Sequence, residues 1–242
     1  MKVTISATKQ ELGLQAAKAG AERLRAAISA RGRAYVIVAT GASQFEMLDA
    51  LVREPDIDWS KVEICHLDEY VGLPEDHPAG FRKYLRERFL AKLPVQPARF
   101  HPVSRDALDD LNRTLAATTI DVAFVGIGEN AHLAFNDPPA DFDSDVPYLV
   151  LSLDEDCRKQ QLGEGWFKTL ADVPAQAVSM SIKQIMKSRA IIVTVPDARK
   201  AKAVKGALEG PVTNVCPSSI LQRHADCQVF LDRDSASLLR DS

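Results

Sequence analysis

At 242 residues, 46% apolar and 26% charged, the chain can bury a sizeable core and has the composition of an ordinary globular protein. Its formal charge of −3 gives no support for broad nucleic-acid or anionic-membrane binding, although local donors can still hold a small anion. Cys65, Cys157, Cys216 and Cys227 are scattered without a CxxC pair, which argues against a zinc site and against a disulfide framework.

From the N-terminus, MKVTIS reads as a short strand, and the segment MKVTISATKQ lacks a signal-peptide core. Thr8-Lys9-Gln10-Glu11 has the form of a capping box, and the Ala/Leu-rich stretch after it to Ile28 reads as a helix. AYVIVA (34–39) is a buried-strand pattern followed by helical QFEMLDALV (44–52), and VEICHL (62–67) is the next strand. A loop then leads to a helix near GFRKYLRERFLAKL, before DVAFVG (121–126), YLVLSL (148–153), RAIIVTV (189–195) and CQVFLD (227–232), all read as strands. ARKAKAVKGALEG supplies helix between the last two.

Short, uniformly apolar strands separated by helices predict an α/β protein: a doubly wound, mostly parallel sheet with helices on both faces, in a modified Rossmann-like arrangement. No repeat or low-complexity linker divides the chain, so one domain over 1–242 is expected. No apolar stretch approaches membrane-spanning length, and a cytoplasmic location is the default expectation.

In such sheets ligands bind beyond the carboxyl ends of the strands, and three strands end in polar sequence. Thr40-Gly41-Ala42-Ser43 follows AYVIVA; its glycine, hydroxyls and free N–H groups suit a phosphate or carboxylate, while a plain turn with Ser43 capping the helix is the commoner use of such a sequence. Asp68-Glu69-Tyr70 follows VEICHL, where Asp68 is either a general base or a structural cap or ion pair. His66, inside the strand, reads as a core residue. DVAFVG leads into GIGENAHLAFNDP (126–138). There Gly126 and Gly128 allow close backbone approach, and Asn130 and Asp137 flank His132. His132 is thus a structural residue, a ligand or an acid/base; a metal role is the weakest, with no H-x-x-x-H or cysteine partner nearby.

The pairing of LDEYVGLP (67–74) with GIGENAHLAFNDP resembles the glucosamine-6-phosphate deaminases (isomerases), which are related to the 6-phosphogluconolactonases. ARKAKAVKGALEG (198–210) and PSSILQRH (217–224) are similar to that family's C-terminal segments. The resemblance implies a cofactor-free, metal-free aldose–ketose isomerisation with loss of ammonia, acting on a phosphorylated amino sugar and grouped by its net balance with the hydrolases. By the same resemblance Asp68 is the enolisation base, His132 opens the pyranose ring, and Asn130 and Asp137 are its catalytic partners. Thr40, Gly41, Ala42, Ser43, Glu69, Gly128 and Lys200 are the implied substrate contacts. By composition alone Lys200 belongs to a basic helix with Arg199, Lys202 and Lys205, ordinarily a solvated face.

The chain departs from the family pattern in three respects. Asn130 stands for an Asp, Asp137 for a Glu, and CRKQQLGEGWF has no clear counterpart of a phosphate-gripping arginine, which leaves Arg158 or Gln161 as substitutes. A lactonase of the same fold typically has an arginine shortly after the DE pair and lacks AFNDP. A non-catalytic sugar-phosphate sensor would lack the base and usually carry a DNA-binding domain. The segment PADFDSDVPY lacks the basic side chains of an allosteric phosphate site, and homo-oligomerisation is left open.

Overall fold

A computed structural model describes residues 1–240. The chain runs β1 (Lys2–Ser6), α1 (Lys9–Arg31), β2 (Ala34–Val38), α2 (Phe45–Leu51), β3 (Val62–His66), β4 (Asp68–Tyr70), α3 (Phe81–Arg88), β5 (Arg99–His101) and α4 (Leu108–Ala116). It continues through β6 (Val122–Val125), β7 (Tyr148–Ser152), α5 (Glu155–Gly163), β8 (Gln176–Met180), α6 (Ile182–Met186), β9 (Ala190–Val195), α7 (Ala201–Glu209), β10 (Cys227–Asp232) and α8 (Arg233–Ala236).

Seven strands form one sheet in the order β1-β10-β9-β6-β2-β3-β5, and every pairing in it is parallel. The strands are apolar throughout because both faces are covered. Val36, Val38, Val122 and Phe124 pack with Leu12, Ala16 and Leu24 of α1 and with Met47 and Leu51 of α2. On the other face, Ile37, Ala123, Val125 and Ile191 pack with Leu111 of α4, Ile185 of α6 and Val204 of α7.

Local signals explain where elements begin and end. The Thr8 hydroxyl accepts the Glu11 N–H at 3.1 Å. The reciprocal bond from the Glu11 carboxylate goes to the N–H of Ala7 rather than that of Thr8. Helix α1 runs past Ile28 to Arg31 and stops where Gly32 turns left-handed, φ 73°, and donates to the Ile28 carbonyl.

One expected strand belongs elsewhere. YLVLSL was predicted as a parallel member of the main sheet, but β7 pairs antiparallel with β8, which pairs antiparallel with β4, in a separate three-stranded sheet. The reason is burial: β7 is only half covered, whereas main-sheet strands such as β6 and β9 are buried along their whole length. The DEY segment, expected to be loop, is strand β4, reached one residue after β3 ends.

The main sheet changes winding direction between β2 and β6. From β2 the chain builds outward through β3 and β5, then returns to β6 on the other side and builds through β9 and β10. A crevice opens at such a switch point, beyond the carboxyl ends of the two strands. Among the described residues no helix is long and apolar enough to cross a membrane.

Candidate active site

At that switch point lies a cleft of about 680 Å³, its open mouth included. Four strand ends reach it: Thr40–Ser43 after β2, Leu67 and Asp68 at the step from β3 to β4, Gly126–Gly128 with His132 after β6, and Pro196 to Lys200 after β9. The three loops singled out in the sequence thus meet around one space, and β9 adds a fourth. Helix α5 closes the remaining side with Gln160, Gln161 and the residue just past it, Glu164.

The turn after β2 is made by Gly41 at φ 97°, a conformation that L side chains rarely adopt. The Thr40 hydroxyl is buried without a hydrogen-bond partner while its residue lines the cleft, so a ligand oxygen there would satisfy it. The Gln44 amide holds the Ser43 hydroxyl at 3.1 Å. Gly126 permits this turn to approach the one after β6: an added Cβ would lie 3.1 Å from both Ser43 Oγ and Gln44 Nε2.

Asp68 is 6% exposed, and among the described residues its carboxyl has no hydrogen-bond partner. Burial, and secondarily the charge of Glu69, push it up to about 8, making it a far stronger base than an ordinary carboxylate once ionised. Glu69 does not line the cleft, contrary to the expectation for it. Consecutive strand residues face opposite ways. Its carboxylate turns inward to accept the backbone N–H groups of Tyr70, Phe81 and Arg82 at 2.9, 3.2 and 2.7 Å, and the Arg82 guanidinium at 3.3 Å. Glu69 therefore anchors the start of α3. His66 is wholly buried, accepting the Val103 N–H at 3.3 Å, and burial holds its ring down to about 3, neutral at all ordinary pH.

His132 is fixed from three sides. Its ring lies on Gly128, where a Cβ would come within 2.3 Å of ring atoms Cε1 and Nε2, so only glycine leaves it room. Its Nδ1 faces Asp137 Oδ1 at 3.1 Å, which leaves Nε2 for a ligand. Its backbone N–H donates to Asn130 Oδ1 at 3.0 Å, and Asn130 Nδ2 donates to the same Asp137 oxygen at 3.0 Å. Asp137 Oδ2 accepts the Asp154 N–H at 3.1 Å. Burial alone would raise the Asp137 carboxyl, but the hydrogen bond and charge of His132, with the Asn130 amide and the Asp154 N–H, leave it below its ordinary value. Ala131 and Ala134 hold φ of 69° and 54° on either side of the imidazole, strained conformations for alanine that the surrounding packing maintains. Asn130 and Asp137 do not line the cleft; they stand behind the imidazole and position it rather than touching a ligand.

Among the described residues one His/Cys/Asp/Glu trio has donor atoms with metal-ligand spacing, His132, Asp137 and Cys157, within 4.8 Å of one another. Asp137 is already occupied by the donors just described, and burial pushes the Cys157 thiol well above its usual range. A hydrogen-bonded imidazole–carboxylate pair describes this donor set better than a cation cage does.

Lys200, which also lines the cleft, is 6% exposed, and burial lowers its ammonium from the usual lysine value. Lys202 and Lys205 point to solvent, as a basic helix face predicts. Neither substitute for the missing arginine brings a cation. Arg158 lies outside the lining and donates to the carbonyls of Leu170 and Val173, whereas Gln161 lines the cleft and accepts the Tyr70 hydroxyl at 2.6 Å. Arg199, read from sequence as a solvated face, lines the cleft too and pairs with Glu129 at 3.1 Å. Gln160 and Glu164 had not been singled out. Their separation of four residues, one helical turn, is the signal that would have placed them on one side.

The model of the family described as "Glucosamine-6-phosphate isomerases/6-phosphogluconolactonase" matches residues 7–230. A glucosamine-6-phosphate deaminase of Exiguobacterium sibiricum is 36% identical over 209 residues, 84% of this chain and 81% of that one. One from Streptococcus pneumoniae is 34% identical over 235 residues, 96% of this chain and 98% of its own. Among solved structures, a monomeric glucosamine-6-phosphate deaminase superposes with a TM-score of 0.87 at 29% identity, covering 98% of this chain and all (100%) of that one. A 6-phosphogluconolactonase from Shewanella baltica gives 0.77 at 20% identity, covering 96% and 97%, a likeness of fold.

Proposed function

The chain belongs to the glucosamine-6-phosphate isomerase/6-phosphogluconolactonase family, and from that premise we propose that its cleft converts glucosamine 6-phosphate to fructose 6-phosphate and ammonia. One observation carries the choice of chemistry: an unpartnered buried carboxyl, Asp68, and a carboxylate-oriented imidazole, His132, line the same cleft. Moving a proton between adjacent carbons needs a single base within reach and away from bulk water. Opening a pyranose needs a group that takes the proton of O1 and delivers one to O5, which an imidazole with one committed nitrogen does.

The phosphate sits at the Lys200 end, against the Thr40–Ser43 turn. His132 Nε2 opens the ring, and Asp137 keeps Nδ1 protonated and steadies the imidazolium. Ionised Asp68 then takes the proton from C2 and returns it to C1, while O1 gains a proton and the amino nitrogen loses one, turning the amino aldose into a 1-hydroxy ketimine. Water adds at C2 and ammonia departs. The hydrolase designation describes only this net balance and is not carried by the relatives' names; the reaction at carbon is an isomerisation. The Asn130 amide serves where a second acidic partner was expected, donating to Asp137 instead of repelling it.

Mixing the purified protein with glucosamine 6-phosphate and following ammonia and fructose 6-phosphate tests the assignment. Stoichiometric appearance of both is expected. No turnover, together with hydrolysis of 6-phosphogluconolactone, transfers the chain to the family's other activity.

A further inference from the structure

Helix α5 ends by bringing a carboxylate to the anion end of the cleft. Glu164 lines it together with Lys200 and Arg199, and the cations whose charge it feels are Lys200 first and then Arg199 and His132. Gln160, one turn earlier, lines the same cleft, and its side-chain oxygen accepts the Glu129 N–H at 2.8 Å. From β4 Glu164 faces Tyr70, whose hydroxyl feels its charge. Its other neighbours in the adjoining side pocket, Gly41, Phe45, Pro78, Ala79, Gly80, Phe81, Tyr84 and Trp166, carry no charge there.

The charges at this end cancel. Lys200, Arg199 and Lys9 contribute three positive charges, and Glu164, Glu129 (paired with Arg199) and Asp197 (paired with Lys9) contribute three negative ones. A phosphate monoester near neutral pH brings between one and two more negative charges. With Glu164 ionised, the dianion enters a site of no net charge beside a half-buried carboxylate. With Glu164 protonated, the same site is a net cation, and the carboxyl gains an O–H to donate to a phosphate oxygen. Burial already raises the Glu164 carboxyl, which eases that protonation.

We propose that Glu164 is a specificity-determining residue of this subsite: a phosphate group seats beside Lys200 by drawing one solvent proton onto the Glu164 carboxylate. The inference rests on the assignment of the Lys200 end to phosphate. It makes the grip on the phosphate conditional, strong for a protonated site and weak for an ionised one.

Calorimetric titration with inorganic phosphate tests this without requiring turnover. Wild type, Glu164→Gln and Lys200→Ala are compared from pH 5.5 to 8.5. At pH 8.5 Glu164→Gln binds phosphate about tenfold more tightly than wild type, the effect of roughly one pKa unit of like-charge coupling. The difference narrows as pH falls towards 5.5. Across that interval, binding heats in buffers of different ionisation enthalpy report more proton uptake by wild type than by Glu164→Gln, a comparison that cancels the phosphate's own titration. Equal affinities at pH 8.5, weaker binding by Glu164→Gln there, or equal proton uptake by the two proteins overturns the proposal. If Lys200→Ala loses phosphate while Glu164→Gln matches wild type, the proposal alone fails. If Lys200→Ala binds phosphate normally, the assignment of this end falls, and the proposal with it.

Discussion

Gly128→Ala isolates the placement of the imidazole. The added methyl would lie 2.3 Å from His132 Cε1 and Nε2 and 2.4 Å from Cδ2. Carbon contacts settle at about 3.5 Å, so the ring must retreat by roughly 1.2 Å. Gly128 is not among the residues with positive φ, so alanine is tolerated by the backbone and the effect is steric. A retreat of that size separates Nδ1 from Asp137 Oδ1, now at 3.1 Å, and misplaces Nε2 relative to a bound sugar. Misplacement by about 1 Å costs roughly 10²-fold in rate, and overpacking costs about 1–3 kcal/mol of stability. The control is Gly163→Ala, where nothing lies within 4 Å of the new Cβ. Initial rates of ammonia release and thermal melting should show kcat about a hundredfold lower for Gly128→Ala and near wild type for Gly163→Ala. A Gly128→Ala protein that keeps more than half of its kcat would refute the claim that the glycine exists to make room for the ring.

Asp68→Asn removes the base and should lower kcat by about 10³-fold or more, while calorimetry shows phosphate binding intact; parallel loss of both would mean that Asp68 shapes the cleft. Asp68 also sets two pH trends. Its carboxyl titrates at about 8 in the fold against an ordinary 3.8, so the folded state holds the proton more tightly and loses stability as pH rises from 4 towards 8. Asp68→Asn should accordingly melt higher than wild type at pH 8, with the gap closing near pH 4, and kcat/KM of wild type should climb as pH approaches 8. Glu69→Ala strips the buried anchor of α3 and leaves Arg82 unpaired, costing about 3 kcal/mol in denaturant unfolding; a change under 1 kcal/mol would contradict the anchoring role. Lys200→Ala should raise KM at least tenfold while Arg158→Ala leaves it unchanged; the reverse would restore Arg158 as the phosphate-gripping residue.

The strand ends were legible because uniformly apolar runs such as VAFV and AYVIV stop abruptly at polar turns, and topology carries those turns to one edge. That reading brings Asp68, His132 and the Thr40–Ser43 turn to the strand ends, and all of them line the cleft. Glu69 was misplaced because a motif read as a string ignores strand alternation: its neighbour faces the cleft, and it faces α3. The α5 wall was illegible for a different reason. Gln160, Gln161 and Glu164 look like the solvated side of a polar helix, and only the antiparallel path of β7 carries them over the cleft. The same blindness hid Arg199. A charge beside a helix start reads as solvent-exposed until the fold supplies a partner, here Glu129. Arg158 shows the converse, a cation in the expected segment that lies outside the cleft lining, with Nη2 donating to two loop carbonyls.

Asp68 stands within a hydrogen-bonded strand, opposite Ser179 of β8, and the next residues remain tied to that sheet through Val71 and Gln176. A side chain mounted on so stiff a support has little freedom to follow a reacting centre from one carbon to its neighbour. In the proposed reaction the sugar would do the travelling, pivoting about its phosphate so that first one carbon and then the other meets a stationary carboxylate. Turnover would then depend on leaving the open-chain intermediate slack enough to swing.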